Sequence, residues 1–600
     1  MLTNPTFGRE NPSWEAYVVT PPGDKFTAQP PTHEVVVERG LRIPMRDGTE
    51  LAAMLWRPEG EGPFPVLVER SPMRLEERSG AAGAYHAARG IAVLSVGLRG
   101  CVGSDGEFGL DLGSPIGDGY DTVEWAAAQS WCDGRVGTIC GSISGYTAYQ
   151  TAVEAPPYLI PLLVREGPID VTATGSGSRS LLGFQAVSVV WTEHRLDYLT
   201  PEERAPAQKL VDTWQQAWLA AQAAASGSPF LPVSETFRQL PLSPHPLFVG
   251  AADYYNAWFG PPSADRTDVD VTQRAEQVDV PICHLGGWFD GLVTSTLSAF
   301  SAMQARAAST DARAGQRLII GPWVHGPQAT HNNPVGLLEF GPNAELDFFA
   351  FRQRWYDAHL SGECDLSADP VVWLYLTGPD RWLGFESWPP PITPTNWYLD
   401  SDVLADAPPD STQAPNAYAY DPTDPVPSLA GGGAMGIGLD QRPVEDRLLA
   451  YTSPPLDVPL TLVGPVKTIL YASSSAPDTD WIVRLTMVRP DEASVILSGG
   501  TVRARYHLSP ITPKWLEPDK PERFEIEMLP LSIVIPAGHR LRLTVTSSDF
   551  PAFDRNLNTG EPIGHESEGQ VAVNRIYHDA QRPSHVVLPV LGAASISNHS

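Results

Sequence analysis

Three side chains in this 600-residue chain have the types, order and settings that acyl transfer needs. The first is Ser142, within Arg135-Val-Gly-Thr-Ile-Cys-Gly-Ser-Ile-Ser-Gly-Tyr-Thr-Ala-Tyr149. The apolar run Val136 to Cys140 reads as a buried strand, and Gly145 to Glu154 as a helix stopped by Pro156-Pro157. A serine at the apex of a sharp strand-to-helix turn has the form of a nucleophile elbow, whose crowding demands small residues two before and two after it. Cys140 and Ser144 meet that demand around Ser142, whereas centring the turn on Ser144 would put Tyr146 in a crowded position. A serine beside glycine is by itself more often an ordinary turn, so the assignment depends on partners elsewhere.

A serine hydroxyl is a weak nucleophile and needs a base within hydrogen-bond reach, itself oriented by a carboxylate. Both follow in order. The run Val280 to Leu285 leads into Gly286-Gly-Trp-Phe-Asp290-Gly-Leu, and the run Arg317 to Ile320 into Gly321-Pro-Trp-Val-His325-Gly. Each lies just past the C-terminal end of an expected strand, where open α/β sheets place their sites. Alone, Asp290 would be a turn or cap residue and His325 a loop histidine; the order serine, acid, base on three strand-end loops makes them candidates for a triad. The aromatics Trp288, Phe289 and Trp323 flank these loops and are candidate substrate-binding walls of an apolar acyl pocket, with plain core packing as the alternative.

The elements needed to position these residues are legible in the text. Strand-like runs occur at His33 to Glu38, Leu41 to Met45 and Thr49 to Trp56, with Asp47-Gly48 turning the last pair. Phe64 to Val68, Ile91 to Val96 and Tyr158 to Val164 read as buried strands, alternating with helices at Ala81 to Arg89 and Asp121 to Gln129. The alternation predicts a doubly wound, mainly parallel sheet. It stops at about Val171 and resumes at Val280, and the interruption carries helical text such as Pro201 to Ala225. Leu346 to Leu360 reads as the last helix of the α/β unit, after which short alternating strands predict an all-β sandwich or jelly-roll. The expected units are 1–170, a core segment with a polar leader over about 1–30; 171–277, a helical cap; 278–371, the rest of the core; and 372–600, a jelly-roll. Gly431-Gly-Gly433 reads as a flexible loop near the start of the last unit.

Composition narrows the partners. The formal net charge is -29 and no Lys/Arg run stands out, so the basic surface that nucleic acid requires is missing. The five cysteines are scattered without a CxxC pair, as in a reduced compartment rather than a disulfide or zinc framework. No apolar run approaches the roughly 20 residues of a membrane span, and Met1 to Tyr17 lacks the pattern of a signal peptide. The expectation is a cytoplasmic protein with no membrane partner, and homo-oligomer formation is left open. Neither the glycines near Gly100 nor the pair His325 and His331 has cofactor or metal spacing, so no cofactor and no metal are expected.

Longer stretches carry a family likeness. Arg99-Gly-Cys-Val-Gly-Ser-Asp-Gly-Glu107, Trp131-Cys-Asp-Gly-Arg-Val-Gly137, Gly287-Trp-Phe-Asp-Gly291 and Gly321-Pro-Trp-Val-His325 resemble motifs of the cocaine esterase / α-amino-acid ester hydrolase / Xaa-Pro dipeptidyl-peptidase (CocE/NonD-type) group. Tyr420-Asp-Pro-Thr-Asp-Pro-Val-Pro427 and Ser547-Ser-Asp-Phe-Pro-Ala-Phe-Asp-Arg-Asn556 resemble signatures of its C-terminal domain. The resemblance implies an α/β-hydrolase core, an inserted cap and a jelly-roll. It also implies a serine hydrolase that acts on an ester or amide of a small acyl compound through Ser142, Asp290 and His325.

The chain departs from that group in its oxyanion hole. One donor is expected at the backbone N–H of Ile143, the residue after the nucleophile. The family pattern then places a tyrosine hydroxyl where this chain has Met73, in Arg70-Ser-Pro-Met73, and a thioether donates nothing. Arg74 or a main-chain N–H could replace the phenol. Alternatively the site serves an activated donor or acyl transfer to an alcohol or amine, or the fold is kept for binding.

Overall fold

The computed structural model describes residues 14–22, 29–109, 117–170, 180–224, 226, 228–232, 238–259, 270–326, 331 and 333–592. Most of the expected leader (1–13 and 23–28) and the first residues of the expected cap (171–179) lie outside them.

The strands are β1 (Val18–Val19), β2 (Val35–Pro44), β3 (Glu50–Pro58), β4 (Phe64–Ser71), β5 (Ala92–Gly97), β6 (Cys132–Gly141), β7 (Leu159–Arg165), β8 (Ile282–Gly287), β9 (Arg317–Gly321), β10 (Val372–Leu376) and β11 (Arg381–Phe385). They form one eleven-stranded sheet in the order β1-β11-β10-β9-β8-β7-β6-β4-β5-β3-β2. From β5 through β10 all neighbours are parallel. The two runs expected within β2 are one strand with a register shift between Glu38 and Leu41, where Gly40 takes φ +73°.

Helix α1 (Leu75–Ala87) joins β4 to β5, and strand residues alternate between two cores. Val66, Val68, Leu162 and Val164 join Val123 of α2 (Asp118–Ala127) and Tyr146 of α3 (Ile143–Glu154). Leu67, Val93, Ile139, Leu163 and Ile319 join Phe351 and Trp355 of the helix Phe348–Tyr356 on the other face. Burial on both faces explains the near-continuous apolar strand text. The winding reverses between β4 and β6, so the crevice of a doubly wound sheet opens at their C-terminal ends. Met73 follows β4 and Ser142 follows β6, which puts both at that crevice.

Between β7 and β8 the chain leaves the sheet for α4 (Leu181–Arg195), α5 (Pro201–Ala224) and the short helix Asp253–Trp258. Phe184 stacks on Trp258 with ring centroids 4.1 Å apart, and Arg195 Nε donates to the Gly100 carbonyl at 3.0 Å, tying this insertion to the core. Among the described residues no helix is long and apolar enough to cross a membrane.

One boundary differs from expectation. The sheet does not end near residue 371: β10 runs parallel to β9, with Val372 opposite Leu318, and β11 and β1 extend it further. The buried text Val-Trp-Leu-Tyr-Leu reads the same in a parallel sheet as in a sandwich, so periodicity could not separate the two. The all-β domain begins at the strand Ile392–Asp400, and its sheet closes with His585–Leu591.

Inside that domain the 547–556 motif has a structural role. Arg503 is bound by Asp480 at 2.8 Å and Asp554 at 3.0 Å, Arg484 by Asp549 at 2.5 Å, and Asn556 donates to Asp478 and Asp480. All are buried, so each charge depends on its partners. Asp554→Ala is therefore expected to destabilise the domain by about 3 kcal/mol, read as a lowered urea midpoint for its unfolding.

Candidate active site

Ser142 adopts φ 56° and ψ −127°, a left-handed conformation unfavourable for any residue with a Cβ. Its N–H donates to the Arg165 carbonyl and its own carbonyl accepts from Gly145 N–H, each at 2.8 Å. The helix starts at Ile143, two residues earlier than the sequence suggests. A Cβ on Gly145 would lie 2.7 Å from Gly167 Cα, so the helix can close against the end of β7 only with glycine there. As the first helical residue, Ile143 has no carbonyl one turn back for its N–H.

The acid and base loops are joined by their main chains. Trp288 N–H donates to Gly321 O at 2.9 Å, and Phe289 N–H to Trp323 O at 3.0 Å. A Cβ on Gly287 would stand 2.1 Å from Trp323 O, so that position admits only glycine while the loops stay this close. The all-β domain supports the acid loop from behind: Ala434 N–H donates to Phe289 O at 2.9 Å, and a Cβ on Gly433 would meet Phe289 at 2.7 Å. The glycine run expected as a flexible loop thus packs against the loop that carries Asp290.

The outcome is a continuous chain of hydrogen bonds. Both carboxylate oxygens of Asp290 lie 3.1 Å from His325 Nδ1, and His325 Nε2 lies 2.9 Å from Ser142 Oγ. These partners assign the tautomer: Nδ1–H donates to Asp290, and Nε2 accepts from the serine hydroxyl. Asp290 is buried and also accepts Leu292 N–H at 3.0 Å, while His325 remains 42 % exposed and Ser142 half-buried. Burial disfavours the imidazolium, but the hydrogen bond and charge of Asp290, with a smaller contribution from Glu166, outweigh it and raise the His325 pKa.

Glu166 lies outside the sequence motifs that carry the triad candidates. It follows β7 as Asp290 follows β8, it is fully buried, and it takes φ 54°. Its Oε2 accepts Gly326 N–H at 3.1 Å and lies 3.5 Å from His325 Nδ1. An acidic residue immediately after a core strand was the available signal.

The remaining candidates separate clearly. Trp288 and Trp323 are 2 % and 1 % exposed, and their indole N–H groups donate to the carbonyls of Tyr375 and Ala344. Phe289 stacks on Phe340 with centroids 5.4 Å apart. All three are core side chains that hold the acid and base loops in place, which replaces the expectation that they wall an acyl pocket. Met73 N–H donates to Ser71 Oγ at 3.2 Å. The Arg74 guanidinium is turned to the end of α4, donating to Glu193 O at 3.3 Å and Asp197 at 3.1 Å.

Known proteins place this architecture. Residues 47–327 match the family model of X-Pro dipeptidyl-peptidase (S15 family), and residues 367–587 that of the X-Pro dipeptidyl-peptidase C-terminal non-catalytic domain. Cocaine esterase from Rhodococcus sp. (strain MB1 Bresler) is 32 % identical, over 92 % of this chain and 98 % of its own length. The chain belongs to the S15 family of serine hydrolases. Two solved structures share the fold of this S15 protein. An α-amino acid ester hydrolase is 22 % identical with a TM-score of 0.73, covering 94 % of this chain and 98 % of its own. An aminopeptidase from a marine sediment Thaumarchaeota archaeon is 23 % identical with a TM-score of 0.75, covering 95 % and 98 %. The S15 protein is accordingly an enzyme with an α/β-hydrolase core and a β-rich C-terminal domain.

Two outcomes are expected. Gly287→Ala should lower stability by about 1–3 kcal/mol by overpacking and reduce turnover further by parting the two loops, as thermal unfolding and ester hydrolysis will report. Because the base must be neutral and its pKa is raised, activity should fall with decreasing pH through a midpoint above the ordinary histidine value of about 6.5, measured as kcat/KM against pH.

Proposed function

We propose that this S15 hydrolase cleaves an ester of a small acyl compound, or its amide, through an acyl-Ser142 intermediate. The observation that supports this best is the unbroken Ser142–His325–Asp290 hydrogen-bonded chain on a strained elbow. The 32 % identity to a cocaine esterase over nearly the whole chain favours an ester, while the match to the X-Pro dipeptidyl-peptidase family model keeps the amide in view.

In this reading His325 Nε2 takes the hydroxyl proton as Ser142 Oγ bonds to the substrate carbonyl carbon. Asp290 holds the Nδ1–H and stabilises the imidazolium that results. Collapse of the tetrahedral intermediate breaks the bond to the alcohol or amine, which leaves with the proton from Nε2. Water then repeats the sequence on the acyl-enzyme and releases the acid. Each oxyanion is met by Ile143 N–H at the positive end of α3. The thioether of Met73 has no proton to give and the Arg74 guanidinium is engaged with Glu193 and Asp197, so in this reading the second donor is a main-chain N–H of the Met73 loop that turns from its present acceptor, Ser71 Oγ for Met73 or His194 Nδ1 for Arg74.

Ser142→Ala should abolish hydrolysis of p-nitrophenyl acetate with the melting temperature nearly unchanged; retained turnover would remove Ser142 from the mechanism. For Met73→Tyr, a main-chain donor predicts less than about a threefold change in kcat. Restoration of a missing donor would instead raise kcat by about 10²–10³, and a gain of that order would show that the hole is incomplete.

A further inference from the structure

His325 Nδ1 faces two carboxyl groups, and the hydrolytic cycle above uses only one. We propose that Glu166 is a second acid for His325, a positioning residue whose charge sets the pH at which the imidazole becomes a base. This inference rests on the Ser142–His325–Asp290 reading.

The geometry is specific. Glu166 Oε2 lies 3.5 Å from Nδ1, the nitrogen that also contacts both oxygens of Asp290, and it accepts the N–H of Gly326, the residue after the base. Oε1 is buried and has no hydrogen-bond partner among the described residues. Burying a carboxyl group with one oxygen unsatisfied is unfavourable, and so is the left-handed φ of 54° that aims it. A group needed only to anchor a loop would require neither.

The surroundings decide how it titrates. From β7, Arg165 brings its Nε to 3.7 Å; from the loop after β8 comes Asp290, and from the loop after β9, His325. Around Arg165 stand Arg78 and Glu69, themselves paired at 2.7 Å, and then Arg352. Burial pushes the Glu166 carboxyl up to about 7; Arg165 opposes this, and Asp290 adds to it. Both groups are thus raised above their ordinary values, Glu166 by burial and His325 by its two carboxyl neighbours. Ionised, Glu166 favours the imidazolium; protonated, it does not. Two groups of opposite charge coupled in this way spread a titration over more than the width of one proton.

The test is kcat/KM for p-nitrophenyl acetate from pH 4.5 to 9 in wild type, Glu166→Gln and Ser142→Ala. The glutamine keeps an acceptor for Gly326 N–H, so a loop anchor would leave the profile unmoved. The proposal predicts a wild-type acid limb broader than one proton. In Glu166→Gln it predicts a one-proton limb displaced by about 1 pH unit to lower pH. A one-proton wild-type limb overturns it, as does an unchanged midpoint in the variant. If Glu166→Gln does not fold, the width of the wild-type limb decides alone. Hydrolysis surviving in Ser142→Ala would instead overturn the triad reading itself, a distinct failure.

Discussion

The separation of Asp290 from His325 is set by two main-chain hydrogen bonds, and the site depends on them. Trp288 N–H to Gly321 O and Phe289 N–H to Trp323 O continue the pairing of β8 with β9 beyond the sheet and hold the two loops against each other. Backbone approach this close excludes a Cβ at Gly287. The indoles of Trp288 and Trp323 then lock the pair from below by donating to Tyr375 and Ala344 carbonyls. A hydrogen-bonded chain of the kind proposed for catalysis tolerates little displacement, and here the precision comes from strand geometry rather than from long flexible side chains.

The supporting layers follow from that constraint. Tyr375 sits on β10, so the strand that lengthens the sheet also carries an acceptor for the acid loop. The all-β domain completes the support through Ala434 N–H on Phe289 O. Its own interior is organised by Arg503, held by Asp480 and Asp554, and by Arg505 and Arg484, held by Asp478 and Asp549 respectively. On the other side of the crevice, Arg74 ties the loop after β4 to the end of α4 through Glu193 and Asp197. The helices inserted between β7 and β8 are thereby tied to the loop proposed to complete the oxyanion hole.

Much of this was legible in the residues because it is local. The elbow text around Ser142, the two Gly-rich loops after apolar runs, and the order serine, acid, base each identify a strand end, and parallel sheets gather strand ends. What the text did not reveal is what burial decides. Trp288, Phe289 and Trp323 have the composition of a pocket wall and of a core alike, and only their buried N–H and ring partners distinguish the two. The run Val372 to Leu376 was ambiguous for the same reason. Glu166 was hidden because its one signal, an acidic residue directly after an apolar strand run, gains weight only once three strand ends converge on one point.

The central claim is that this geometry makes Ser142 an activated nucleophile. It is tested most directly by the intact mass of the protein after exposure to a fluorophosphonate, compared with Ser142→Ala treated alike. The account predicts one adduct on the wild-type chain and none on the variant. An equal adduct on both, or a folded wild-type protein that stays unmodified while the small ester p-nitrophenyl acetate is still turned over, would contradict it.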